Sequence, residues 1–233
     1  MEQDDKYKPI IYLTIVLLLF YSSSLFRLIP IYLFNIDLNT CSDLVFNSTR
    51  LFANAVTALI LFFIYFKDLK IDLKKFKNNF KEIISSSIKY WIVGFIIMMI
   101  TSMLIGIFSP INTSTNEEGV RSIIYSTPII AFLMSSILAP FTEEIIFRKA
   151  FKDALKNKCL FIITSGVVFG ALHVVGTIES LYGLLYIFPY TSLGIAFALA
   201  YYKTNNIFSS IFLHFMHNTL VMLLVNFGIG VIL

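Results

Sequence analysis

Apolar positions gather into seven long blocks, near residues 9 to 34, 51 to 66, 83 to 108, 126 to 147, 159 to 175, 181 to 202 and 206 to 231, with short polar stretches between them. A helix needs roughly 20 apolar residues, at a 1.5 Å rise each, to cross the hydrocarbon core of a bilayer. The pattern therefore predicts an all-α fold, a polytopic transmembrane helical bundle of about seven spanning helices. The longest polar stretches are Lys67 to Lys81 and Ser109 to Arg121, so no large extramembrane domain is expected, and the chain carries no internal repeat or low-complexity tract.

Composition agrees. Hydrophobic residues make up 58% of the 233 positions and charged residues only 14%, with a mean hydropathy of +0.82. Soluble domains carry about 25% charge, which excludes an ordinary soluble protein. The net charge of +4 comes from residues placed in short loops, which argues against a nucleic-acid partner and reports topology instead. Six lysines lie between Lys67 and Lys81, and Arg148, Lys149, Lys152, Lys156 and Lys158 form a second basic stretch. Both are expected at the cytoplasmic face of the cell membrane. Asp37 and Asp43, Glu117 and Glu118, and Glu179 mark the opposite side, so the N-terminus is expected inside and the C-terminus outside. Cys41 and Cys159 then fall on opposite faces, and no disulfide is expected between them. The polar start, Met1 to Lys8, and the long apolar run after it do not make a cleavable signal pattern.

Chemistry enters where this pattern is violated. Pro140-Phe141-Thr142-Glu143-Glu144-Ile145-Ile146-Phe147-Arg148 puts two carboxylates and a guanidinium inside a block that otherwise reads as a spanning helix. Each uncompensated charge at the bilayer centre costs at least ~3 kcal/mol, so these groups need partners, water or a function. All three histidines of the chain lie in later apolar blocks, His173 in one and His214 and His217 in another.

The fourth block reads as one long helix continuing to about Lys156. Counting 1.5 Å per residue from the basic end puts Glu143 about 20 Å inward and His173 about 21 Å inward from Cys159. On the last helix His214 lies about 12 Å and Asn218 about 18 Å from Asn206. The simplest arrangement is a shared, membrane-embedded polar cavity opening toward the cytoplasm.

Within that cavity the spacings assign roles. Glu144 and Arg148 are four apart, in the favoured order for an ion pair on one helical face. That leaves Glu143, rotated about 100° around the helix, as the carboxylate without an obvious partner. His173 follows Phe169 by four, which places the ring beside the imidazole. His214 and Asn218 repeat the spacing, and the Asn218 amide can donate to a developing oxyanion. His217, three residues from His214, either shares the cavity face or bonds between helices, and the second reading is preferred. The chain has no His-Glu-x-x-His stretch, no Gly-x-Ser-Gly or Gly-x-Gly-Asp stretch and no phosphate-binding loop. A Glu, two His and an Asn without a Ser or Cys nucleophile leave attack by an activated water.

On these residues the chain resembles the CAAX protease and bacteriocin-processing (CPBP, or Abi) family of intramembrane endopeptidases. Glu143-Glu144-x-x-x-Arg148 is similar to its first motif, Phe169-x-x-x-His173 to its second and His214-x-x-x-Asn218 to its last. Pro189, Gly194 and the Thr204-Asn205 turn hold similar places between them. Asn205 stands where the family commonly has glycine, a departure Asn tolerates because it enters left-handed conformations. The resemblance covers roughly Ile123 to Leu220. It implies amino-terminal transmembrane helices over 1–122 and a catalytic transmembrane core over 123–233, in one membrane unit.

It also implies that Glu143, Glu144, Arg148, His173, His214 and Asn218 form the catalytic site, with Glu143 and His173 activating water and His214 with Asn218 stabilising the oxyanion. The implied partners are a peptide or protein substrate and membrane lipid, in peptide maturation or bacteriocin immunity. No cofactor is expected, although Glu143, His173 and His214 also make a possible three-ligand zinc site with an open fourth position. Two other functions are compatible with the same residues: a noncatalytic membrane binding or immunity protein, and a proton-coupled transporter built on intramembrane Glu and His.

Overall fold

The computed structural model describes residues 2–110, 113–177 and 181–227, with side chains described from Tyr7 onward and, in the middle segment, to Gly176. Glu179 and the last residues of the seventh block lie outside them. The described residues are helical, with no strand among them. The helices are α1 (Glu2–Ser22), α2 (Leu28–Leu33), α3 (Asp43–Ile64), α4 (Phe66–Asn78), α5 (Phe80–Phe108), α6 (Thr115–Ser126), α7 (Pro128–Ala154), α8 (Lys158–Val174), α9 (Ile187–Thr204) and α10 (Ile207–Asn226).

Six helical stretches are long and apolar enough to cross a bilayer: Tyr7–Leu33, Asp43–Ile64, Phe80–Phe108, Pro128–Ala154, Leu181–Thr204 and Ile207–Asn226. The seventh expected span is α8, a shorter apolar helix of 17 residues. The lysine-rich stretch between the second and third spans forms α4, which buries Leu69 and leaves its lysines exposed.

Local signals set the helix ends. Ser42, Ser114, Asn157 and Asn206 each accept a backbone N–H of the first turn that follows, satisfying donors that the helix itself leaves open. Asn205 terminates α9 at φ 47° and ψ 37°, the left-handed conformation expected of it. The start of α10 is also held by α4, since Ile207 N donates to Asp72 Oδ2 at 3.0 Å and Asn206 Nδ2 to the Asp72 carbonyl at 2.7 Å.

α9 is the central post of the site. In a bilayer, helices gain little from excluding water, so close contact depends on small residues. A Cβ on Gly94 of α5 would stand 2.5 Å from the Ala196 Cβ of α9, and one on Gly170 of α8 would stand 2.7 Å from Thr191 N. Those glycines bring α5 and α8 against α9 backbone to backbone. On the other side α7 buries Ile145, Ile146 and Phe147 completely, against Val16 of α1, Leu61 of α3 and Phe169 of α8. The two basic stretches share one face: Lys149 Nζ lies 2.8 Å from Asp68 Oδ2 and 2.6 Å from Asp153 Oδ2. Arg148 departs from its expected place in that basic stretch, because its side chain is fully buried in the core.

Candidate active site between helices α7 to α10

α7 is not a uniform helix. Phe132–Leu138 and Ile145–Ala150 are π-helical, and the α-helical turn Ala139–Glu144 lies between them. Such widened turns re-aim side chains relative to a regular helix and recur at functional positions. Here they flank the two glutamates, which point into different surroundings.

Glu144 points into the wall. Its Oε2 lies 3.1 Å from Arg148 Nε with both side chains completely buried, and its Oε1 accepts from His214 Nδ1 at 2.9 Å. The ionic contact is closer to side-by-side than to a linear hydrogen bond, because neither atom has a well-aligned partner. Arg148 also donates to Ser165 Oγ at 3.1 Å, and that hydroxyl donates on to the Phe147 carbonyl at 2.6 Å. The guanidinium carbon sits 4.7 Å from the centroid of Phe169, a cation–π contact that is strongest when desolvated. The sequence groups Glu144 and Arg148 with the catalytic residues, yet neither lines the cavity. They hold His214.

Glu143 points into a cavity of about 180 Å³ that is also lined by His173, His214, His217, Asn218 and Ser135. Its Oε2 lies 3.8 Å from His173 Nε2 and 3.9 Å from His214 Nε2, and has no hydrogen-bond partner. Each imidazole is fixed by its other nitrogen. His173 Nδ1 lies 2.8 Å from the Phe169 carbonyl, which can only accept, so Nδ1 carries the proton and Nε2 presents a lone pair. The His173 ring is sandwiched between Phe169 at 4.3 Å and Tyr190 at 4.8 Å, and His214 stacks on Phe197 at 4.7 Å. The Asn218 amide donates to the Ser135 carbonyl at 2.7 Å. All six residues named by the sequence thus meet within one pocket and its wall.

Two expectations are corrected. The cavity does not run toward the basic face. From Glu143 it extends to α6, where Asn116, Glu117, Val120 and Ile124 line it, while Ile145, Ile146, Phe147, Ala150 and Phe151 toward the basic end of α7 are buried in the core and do not line it. His217 was expected to bond between helices, but its Nδ1 has no partner, and the ring stands edge-on to Trp91, Phe95 and Phe197 at 6.5, 5.7 and 6.5 Å. It lines the cavity instead.

The sequence reading did not assign Tyr190, Ser165, Ser135 or the residues of α6 to the site. Tyr190 stacks on His173, and its hydroxyl bonds Ser114 Oγ at 2.8 Å and Asn116 Nδ2 at 3.2 Å, tying the start of α6 to the site. No spacing in the sequence marks these residues. Glu143 Oε2, His173 Nε2 and His214 Nε2 are the atoms that could converge on a metal ion, although among the described residues no group of three acidic, His or Cys side chains is close enough to hold one.

The fold and site define a polytopic helical membrane protein with a Glu- and His-lined cavity inside the bundle. Residues 125–220 match the family model described as type II CAAX prenyl endopeptidase Rce1-like. The chain is 33% identical over 156 residues to "Putative membrane peptidase YdiL" of Bacillus subtilis (strain 168), covering 64% of this chain and 60% of that protein. It is 30% identical to an uncharacterized protein of Mycoplasma capricolum, covering 72% and 52%, and 29% identical to "Membrane-embedded CAAX protease MroQ" of Staphylococcus aureus (strain USA300), covering 74% and 70%. No solved structure matches significantly. The family-model match falls on the segment that carries all three motifs, in agreement with the resemblance to the CAAX protease and bacteriocin-processing family. The chain spans between half and two thirds of the length of the first two of these relatives.

Proposed function

We propose that the chain is an intramembrane endopeptidase that hydrolyses a peptide bond with a water activated by Glu143 and His173. The observation that carries this reading is the convergence of Glu143 Oε2, His173 Nε2 and His214 Nε2, with 3.8 and 3.9 Å gaps, at a cavity inside the bundle. A water oxygen about 2.8 Å from both Glu143 and His173 bridges the first gap. The family-model match over residues 125–220 and the peptidase names of two relatives support it.

In the proposed reaction Glu143 takes a proton from this water while His173 Nε2 accepts its second O–H, which aims the oxygen at the scissile carbonyl carbon. The C–O bond forms and the carbonyl oxygen becomes an oxyanion. It receives the free N–H of Asn218, and the Nε2–H of His214 when that ring is an imidazolium resting on Glu144. The proton held by Glu143 passes to the amide nitrogen as the C–N bond breaks, leaving a carboxylic acid, which keeps the second proton of the water, and an amine. Glu144, Arg148 and Ser165 make no contact with substrate in this scheme and serve to fix His214. The reading places the protein in the cell membrane with the basic face cytoplasmic, acting in maturation of a peptide or protein or in bacteriocin immunity.

Comparative peptidomics of cells carrying the wild-type chain or Glu143→Ala tests it. Substrate fragments are expected only with the wild type, together with accumulated precursor in the variant. Identical peptide pools, with both proteins present at equal levels, would remove the proposal.

A further inference from the structure

Pro140 lies inside α7, three residues before Glu143, and is buried. A proline inside a helix has no N–H to give, and its ring collides with the carbonyl four residues back, here that of Ser136. The helix preceding it is widened to π geometry over Phe132–Leu138, and the Ala139 N–H accordingly reaches five residues back to the Met134 carbonyl. In that register the next acceptor is the Ser135 carbonyl, whose donor would be the N–H of residue 140. Proline leaves this bond unmade. The donor that fills it comes from another helix: Asn218 Nδ2 of α10, at 2.7 Å. A buried carbonyl without a helical donor requires such a partner.

Asn218 is thereby held by one of its two amide hydrogens. Because the amide group is planar, fixing one N–H fixes the direction of the other. Ser135, Glu143 and Asn218 all line the same cavity, so the direction of the second N–H is fixed at that cavity. We infer that Pro140 is a positioning residue: by withholding its backbone N–H it leaves the Ser135 carbonyl free to orient Asn218 for oxyanion binding. This rests on the endopeptidase reading for its catalytic consequence but not for its structural one.

The test is Pro140→Ala in the full chain, purified in detergent or nanodiscs, beside Asn218→Ala and the double variant. Pro140→Ser, which restores the same N–H with a different side chain, carries the same expectations if the alanine variant folds poorly. Thermal stability is expected to be equal to or above wild type, since alanine suits a helix interior. The new amide at position 140 is expected to resist hydrogen exchange, having captured the Ser135 carbonyl. The kcat is expected to fall about 10- to 100-fold with KM nearly unchanged, as for a misplaced transition-state contact. The double variant is expected to be no slower than Asn218→Ala alone, because both changes remove one and the same donor.

A Pro140→Ala kcat within about twofold of wild type, or losses that multiply in the double variant, would overturn the inference. So would fast exchange of the amide at 140. Stability and exchange are measured without any substrate, so a wild type that cleaves nothing refutes the peptidase reading while a protected amide at 140 still upholds the positioning of Asn218.

Discussion

Glu143 and Glu144 are covalent neighbours, but their surroundings have little in common. Glu144 lies in a wall where Arg148, Ser165 and His214 leave no exposed surface, whereas Glu143 faces a cavity and its Oε2 bonds to nothing. One residue of helix is about 100° of rotation, and that rotation separates a carboxylate that anchors from one that, on the proposed mechanism, reacts. A charge in the membrane needs compensation. Glu144 receives it from the chain, and Glu143 Oε2 faces the cavity without a partner. The motif is therefore two devices side by side, and substitutions on the two sides are expected to fail differently.

The largest difference is expected at Glu143. Glu143→Gln keeps size and polarity but cannot take a proton from water, so kcat/KM is expected to fall by about 10⁴-fold, the upper range for loss of a general base, with an unchanged melting temperature. Purified protein of matched stability provides the comparison, and an active Gln variant would end the proposed mechanism.

Across the wall, Arg148→Ala strands the Glu144 carboxylate and removes the contacts to Ser165 and Phe169. Losing one partner of a buried pair costs about 3 to 5 kcal/mol, so the variant is expected to lose folded protein as well as activity. Glu144→Gln combined with Arg148→Gln removes both charges and is expected to recover most of the stability. Equal instability of the single and double variants in detergent melts would show that charge compensation is not what Arg148 supplies.

His214 belongs to both sides, with Nδ1 on Glu144 and Nε2 facing Glu143. His214→Ala is expected to lower kcat about 100- to 1,000-fold, the cost of an oxyanion donor, with a smaller change in KM. A variant that raised KM alone would mean that His214 binds substrate without assisting the reaction.

Much of this division was legible before the structure. The four-residue spacing of Glu144 and Arg148 implies stacking on one face, and the same reasoning puts Phe169 beside His173, where the rings lie 4.3 Å apart. Helix spans were legible because bilayer thickness fixes their length. The direction of the cavity was not, since counting residues along a helix gives a depth and says nothing about which end is packed. The surroundings of His217 come from Trp91 and Phe95 on α5, more than a hundred residues away in sequence, which no local spacing encodes. The π-helical turns of α7 were also hidden. Pro140 was the signal for the first of them, because a proline inside a helix leaves a backbone bond unmade.

His217 sharpens the comparison from within the cavity. It lines the pocket among aromatic rings and makes no hydrogen bond through Nδ1. His217→Ala is expected to reduce kcat/KM less than about tenfold, about what a lost apolar contact costs. Steady-state damage as large as that of His214→Ala would give His217 a part in the chemistry.

The smallest expected effect is that of metal removal. The two imidazoles present Nε2 toward Glu143 Oε2, so a zinc site is the one alternative that uses the same three atoms. Zinc holds such ligands at about 2.0 to 2.2 Å, which in tetrahedral geometry separates them by about 3.4 Å. The gaps here are 3.8 and 3.9 Å. A hydrogen-bonded water fills gaps of that width without any shift of α7 against α8 and α10, and on the proposed mechanism Glu143 needs no Lewis acid to activate it. Activity is therefore expected to survive prolonged treatment with a strong chelator, and metal analysis of the purified chain is expected to find far less than one zinc per molecule. One tightly held zinc, lost together with activity in His173→Ala or His214→Ala, would replace direct activation by metal-assisted hydrolysis. It would leave the endopeptidase standing and move Glu143 from base to ligand.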